Sequence, residues 1–128
     1  MEHPATRWHY VGRNPPPVCM NLHLEREILR PLWKVHILFH AQAGPIVGHW
    51  MLEELRQHGY RVSPGTLYPL LARMEKLGWL QRVNKTRRHS PKEAQPYRAT
   101  AAGRRALRET EARLKELISE VHVKRKSK

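Results

Sequence analysis

The stretch from residue 63 to residue 73 gathers groups that suit a phosphodiester ligand: Ser63, Pro64, Gly65, Thr66, Tyr68, Pro69 and Arg73. The hydroxyls of Ser63 and Thr66 and the phenol of Tyr68 can hydrogen-bond phosphate oxygens or base edges. Arg73 can reach a phosphate further along. Ser followed by Pro is a helix start signal. A helix N-terminus also presents exposed N–H groups and a positive dipole end to an anion. A second basic group follows at Lys85, Thr86, Arg87, Arg88 and His89. Its charges can neutralise phosphates or place an arginine in a minor groove. Taken singly, the first stretch is also compatible with an ordinary amphipathic core helix, and the second with a solvated loop. Their succession favours binding.

Other chemistry is poorly served. No Ser/His/Asp order, paired-carboxylate setting or phosphate loop is present. Glu25, Glu27, Glu53 and Glu54 are expected on solvated helix faces, so no enzyme activity is expected. His36 and His40 stand four apart, a spacing that can chelate a metal. No third ligand is evident in the sequence nearby, since His49 follows a turn, and neither a metal site nor a cofactor is expected.

The elements that must position these groups follow from periodicity and punctuation. Leu22 to Leu29 can form a short helix, and Pro31 suits the first turn of a new one. Leu32, Val35, Ile37, Leu38 and Phe39 give that second helix a wide apolar face ending near Gly44-Pro45. Val47 to Gln57 predicts a helix with Trp50, Met51 and Leu55 inward and Glu53, Glu54, Arg56 and Gln57 outward. Gly59 stands where a left-handed cap is wanted. The Ser63 hydroxyl is expected to accept from the N–H groups of the following helix. In that helix Leu67, Leu70, Leu71, Met74 and Leu77 form a buried stripe, leaving Thr66, Tyr68, Pro69, Arg73 and Lys76 on other faces. Gly78 stops it. Residues 79–83 and 97–100 are short strand candidates, with a basic hairpin between them.

The last helix begins near Thr100, a plausible N-cap. Leu107, Leu114 and Val121 recur every seven residues, and Leu117 and Ile118 widen the stripe. Such a seam buries well only against another helix, which points to dimerisation.

Length suits one domain of 128 residues. Lys and Arg number 24 against 11 Asp and Glu, a formal charge of +13. That balance favours an anionic partner. The charge is uneven: residues 81–100 carry +5 and residues 21–80 only +2. No apolar run approaches the roughly 18 residues a membrane span needs. Residues 1–20 are interrupted by Pro4, Arg7, Arg13 and Pro15 to Pro17, so they do not form a signal peptide. They read as an extended arm, with Arg7, Trp8, Tyr10 and Arg13 as its adhesive residues. Cys19 is alone. Together these features predict a cytoplasmic protein.

Four segments carry a resemblance to a known family: 44–48 (Gly-Pro-Ile-Val-Gly), 63–71 (Ser-Pro-Gly-Thr-Leu-Tyr-Pro-Leu-Leu), 75–80 (Glu-Lys-Leu-Gly-Trp-Leu) and 97–103 (Tyr-Arg-Ala-Thr-Ala-Ala-Gly). Together they resemble the PadR family of transcriptional regulators, over about three quarters of the chain. The resemblance implies a homodimeric winged helix-turn-helix protein, usually a repressor, joined through C-terminal helices. It implies in several members a response to small aromatic or drug-like effectors. By position, Ser63, Gly65, Thr66, Tyr68 and Pro69 fall in the family's recognition helix and Lys85 to His89 in its wing. Two departures stand out: residues 84–96 contain no glycine, and a single helix follows the wing, as in the branch with a short C-terminus.

The expected fold is mainly α with a small β-hairpin wing. Residues 1–28 would form the arm and short helix, 29–100 the winged helix-turn-helix, and 101–128 the dimerisation helix and basic tail. The expected function is sequence-specific regulation of transcription by a homodimer on a pseudo-palindromic double-stranded DNA operator, without a membrane partner. The expected dimer contacts are Leu107, Leu114, Leu117, Ile118 and Val121. Trp33 is the candidate residue of an effector pocket for a small aromatic ligand. Two other readings remain open: a winged-helix module for protein–protein interaction, and a non-specific basic nucleic-acid binder.

Overall fold

The computed structural model describes residues 22–83 and 95–126. The arm with Cys19, the wing residues Lys85, Thr86, Arg87, Arg88 and His89, and the end of the basic tail lie outside the described residues.

The chain enters through α1 (Leu22–Leu24), passes through a π-turn over Glu25–Leu29, and continues as α2 (Arg30–Ala43). Two separate helices were expected here, but the backbone stays helical throughout: Leu29 and Arg30 both have right-handed helical angles. The Arg30 N–H donates to the Glu25 carbonyl, one residue further back than in an α-helix. The wider turn falls just ahead of Pro31, whose ring would crowd a regular turn. Helix α2 therefore does not begin at a break.

A two-residue strand β1 (Ile46–Val47) follows, then α3 (Gly48–Gln57), α4 (Pro64–Lys76), β2 (Leu80–Arg82), β3 (Pro96–Ala99) and the long α5 (Ala101–Lys126). The three strands form one antiparallel sheet in the order β1-β3-β2. Ile46 faces Tyr97, Leu80 faces Ala99, and Arg82 also faces Tyr97 across the sheet. Strand β1 was not expected, because two residues leave no alternation to read. Gly59 and Gly78 hold φ of 91° and 83°. Those angles let the chain reverse after α3 and after α4 at positions where a Cβ would be strained.

A single core draws on Trp33 and Ile37 from α2, Ile46 from β1, Met51 and Leu55 from α3, Leu67, Leu71 and Met74 from α4, Leu80 from β2, Tyr97 and Ala99 from β3 and Leu107 from α5. Thr100 caps α5, accepting from the Gly103 N–H at 3.0 Å and donating to the Gly78 carbonyl. That hydroxyl joins the start of α5 to the turn that ends α4. Among the described residues no helix is long and apolar enough to cross a membrane.

Candidate functional site

Helix α4 buries one side and presents another. Leu67, Leu71 and Met74 lie in the core, whereas Ser63, Pro64, Gly65, Pro69, Arg73 and Lys76 are exposed or partly so and Thr66 is half-buried. Residues 65, 69, 73 and 76 recur at three and four, so they share one strip along the helix. Apart from prolines and glycine, that strip is cationic, which suits an anionic ligand lying along it.

Two expectations for α4 need correction. Leu77 was assigned to the buried stripe but is 44 % exposed, because the helix stops at Lys76 and the chain turns away. Ser63 was expected to cap the helix with its hydroxyl, but no side-chain cap bond forms. The Ser63 Oγ meets the Thr66 Oγ1 at 3.1 Å instead, while the Ser63 carbonyl accepts from the N–H groups of Thr66 and Leu67. The two hydroxyls thereby sit side by side at the exposed helix N-terminus, where an anion is favoured.

Tyr68 occupies a different setting from the one expected. It is half-buried and packs on the core cluster. A Cβ added at Gly48 would collide with the Tyr68 ring, so the glycine at the start of α3 makes room for that ring. The phenol stands at the junction of α3 and α4, and its substitution disturbs packing as well as any contact with DNA.

The turn between α3 and α4 is pinned from within. The Arg56 Nε donates to the Val62 carbonyl at 3.2 Å, and its guanidinium lies 3.5 Å from Glu53. At the other end of α4, Glu75 pairs with Arg82 on β2 at 3.3 Å, tying the helix to the base of the hairpin.

A second constellation involves no residue of α4. A cavity of about 550 Å³ opens between α2, the end of α3 and the first turns of α5. Leu32, Val35, Phe39 and Leu114 make its apolar wall, and His36, His40 and His58 its polar one. The expected pocket residue, Trp33, is not part of that lining. It is fully buried in the core, edge-on to Tyr60 with ring centres 6.4 Å apart. Helical spacing accounts for its place: the lining residues Leu32, Val35, His36 and Phe39 follow one strip of α2, and position 33 falls beside it.

The histidine side of this cavity was only half legible. His36 and His40 share a face of α2, as their spacing requires. The third histidine is His58, not His49, which is exposed on the first turn of α3. Ligand atoms of His36, His40 and His58 all lie within 4.8 Å of one another. Glu54, expected on a solvated face, is buried here with its Oε1 3.6 Å from the His40 Nε2 and 3.3 Å from the His58 Nε2. Glu25, also expected to be solvated, is 3 % exposed, and among the described residues neither of its carboxylate oxygens has a hydrogen-bond partner. The missed signal was a second four-residue spacing, Glu54 to His58, on the neighbouring helix.

Burial shifts two groups here, His36 and Tyr60. His36 has its pKa lowered to about 4, first by desolvation and then by the charge of His58. Its Nε2 lies 2.9 Å from the Tyr60 hydroxyl. Burial, and next the nearby Glu25 charge, push the Tyr60 phenol upward.

Helix α5 divides in two. Leu107 is buried inside the subunit, so it does not belong to the expected dimer seam. Leu114 is half-buried beside the cavity. Beyond it Leu117, Ile118, Val121 and Val123 are 53, 61, 49 and 62 % exposed.

Residues 37–109 match the Transcriptional regulator PadR-like family. Transcriptional regulator Rv3488 of Mycobacterium tuberculosis is 48 % identical over 96 residues, covering 75 % of this chain and 88 % of that protein. The crystal structure of a PadR family transcriptional regulator from Eggerthella lenta superposes with a TM-score of 0.66 at 29 % identity, over 84 % of this chain and 89 % of that one. A PadR-like transcriptional regulator from Bacillus cereus gives 0.64 at 27 % identity, over 75 % and 93 %.

Proposed function

Since the chain belongs to the PadR-like family of transcriptional regulators, we propose that it is a cytoplasmic homodimeric repressor that binds a pseudo-palindromic operator. The observation that carries this reading is the outward strip of α4, with Ser63 and Thr66 at its N-terminus and Arg73 and Lys76 along it. A helix with one side in the core and this strip outward fits a major groove about 12 Å wide. Pro64, Gly65 and Pro69 allow close approach of backbone to DNA, and Tyr68 supports the helix from its α3 side. The wing residues Lys85, Thr86, Arg87, Arg88 and His89 would hold the flanking backbone, supplying affinity with little sequence information.

Dimerisation would use the second half of α5, where Leu114, Leu117, Ile118 and Val121 follow one stripe. A monomer leaves this stripe in water, and a second copy of the helix would cover it. The two-fold axis would place paired α4 helices about one turn of DNA apart. The cavity between α2 and α5 would admit a small, mostly apolar effector such as an aromatic compound. An occupant there touches both the dimer helix and the end of α3, and so could change the spacing of the two reading helices.

Selection of bound fragments from random duplexes by the full-length protein tests the reading. The expected result is an inverted repeat with half-sites about 10 base pairs apart. Recovery of fragments without any shared sequence would overturn it in favour of a non-specific basic binder.

A further inference from the structure

Three imidazoles converging at the wall of a cavity, with His40 buried and the other two partly so, need a reason. Polar side chains removed from water are ordinarily matched one to one with partners, because an unmatched group is costly. Here His36 and His40 from α2 meet His58 from the end of α3, all bordering one cavity. Both flanking carboxylates are buried as well: Glu54 contacts His40 and His58, and Glu25 lies close enough to act on Tyr60, which in turn bonds His36. The cluster therefore combines nitrogen donors with enclosed negative charge, and no lysine or arginine of the described residues forms an ion pair with Glu54 or Glu25.

We propose that His36, His40 and His58 form a site for a divalent transition metal of intermediate softness, zinc or cobalt, with Glu54 orienting two of the three rings. Imidazole nitrogen is the donor such ions prefer. A carboxylate that accepts the second N–H of a ligating histidine fixes its tautomer and raises its basicity, and Glu54 stands where it can do so for His40 and His58. Ring nitrogens around one tetrahedral zinc stand about 3.4 Å apart, given Zn–N bonds near 2.0–2.1 Å. The present limit of 4.8 Å is thus closed by modest rotations of the three side chains. Three protein ligands leave a fourth position directed at the cavity, for water or a small ligand.

The site joins α2, in the middle of the core, to the last residue before the turn that leads into α4. Metal binding draws His58 toward α2 and fixes the geometry of that turn. This regulatory consequence rests on the reading of α4 as the DNA-contacting helix, whereas the metal site itself does not.

The test uses tag-free, full-length protein stripped with a chelator. Titration with cobalt is expected to give a saturable d–d absorption at a single ion per chain, displaced by zinc. His58→Ala is expected to weaken cobalt binding at least tenfold, on the scale of missing ligands and their supports. His40 is deeply buried and His40→Ala can unfold the chain, so His36→Gln serves as the second variant, with folding verified by circular dichroism. His49→Ala, outside the cluster, is expected to bind as the parent does. Absence of saturable binding, or binding unchanged in both His58→Ala and His36→Gln, overturns the site. Operator affinity is then measured with and without zinc, and a change of about fivefold or more is expected, the lower end of ordinary allosteric coupling. Metal bound with unchanged operator affinity overturns the regulatory role. Failure to bind any operator with or without metal overturns the proposed function instead, and leaves the metal site standing.

Discussion

Two helices of this protein each expose a long strip, and the strips differ in kind. Along α4 the outward residues are small, hydroxylated or cationic: Ser63, Gly65, Pro69, Arg73 and Lys76. Along the second half of α5 they include Leu117, Ile118, Val121 and Val123. The first strip is at ease in water and needs an anionic partner only to satisfy its charge. The second leaves branched aliphatic side chains in water, and about 25 cal/mol for each Å² then favours covering them. One face therefore fits a charged, hydrated ligand and the other fits a copy of itself. The first turns of α5 are held by Leu107 and the Thr100 cap, and the proposed dimer would use the remainder of the helix.

The sharpest break of this comparison is charge on the aliphatic strip. Leu117→Asp combined with Ile118→Asp should yield a folded monomer by sedimentation velocity, since neither side chain belongs to the core. Operator affinity should fall on the order of a hundredfold or more, the scale expected when two linked binding modules act singly. A double variant that stays dimeric would move the subunit contact elsewhere.

Next in size is the support of α4. Gly48→Ala should lower stability by about 1–3 kcal/mol, because the added methyl overlaps the Tyr68 ring. Tyr68→Ala should also lower Tm, yet the two together should cost less than their sum, since the shortened side chain removes the overlap. Strict additivity in thermal melts would show that Tyr68 does not rest on Gly48 in solution and would make it a free groove-facing residue after all.

Arg73→Ala should act more gently and on the outer strip alone. Cognate and random duplexes should weaken together, and the slope of log affinity against log salt should become shallower by about 2 per dimer, roughly one unit for each phosphate that is no longer neutralised. Weakening confined to the cognate site would make Arg73 a base reader.

The effect confined to acid pH concerns the histidine side of the cavity, away from both strips. His36 has a folded pKa of about 4, below its unfolded value of 6.5. The unfolded chain takes up a proton that the folded chain resists, so the unfolded state gains as pH falls through 6.5 toward 4. The contribution is fully present above 6.5. In the presence of a chelator, Tm should drop across that window, and His36→Gln should flatten the drop. An equal drop in the variant would assign the acid sensitivity to other groups.

Much of this architecture is written in local sequence. The start of α4 at Ser63-Pro64, its end before Gly78, the glycine cap at Gly59 and the Thr100 start of α5 are all set by short-range rules of capping and backbone freedom, and the structure has each in its place. The stripe Leu67, Leu71 and Met74 follows from helical period alone. Resemblance of four short segments was enough to indicate the family, because those segments hold the turn and close-packing residues of the fold.

What lay beyond the sequence is what depends on a neighbour. Leu107 and Leu114 continue the same heptad as Val121, and period cannot tell which members are covered by α2 of the same chain and which are left outside. Tyr68 has a polar end and falls off the apolar stripe, yet the absence of a side chain at Gly48 draws its ring inward. Glu25 and Glu54 have the composition of solvated residues and are buried nonetheless, Glu54 where α3 meets His40 of α2. His58 joins His36 and His40 across a separation of 22 and 18 positions, which no periodicity encodes. Helix boundaries and helical phase are properties of a few consecutive residues, so sequence determines them; burial and the meeting of side chains are properties of two surfaces at once, so only the packing of the helices decides them.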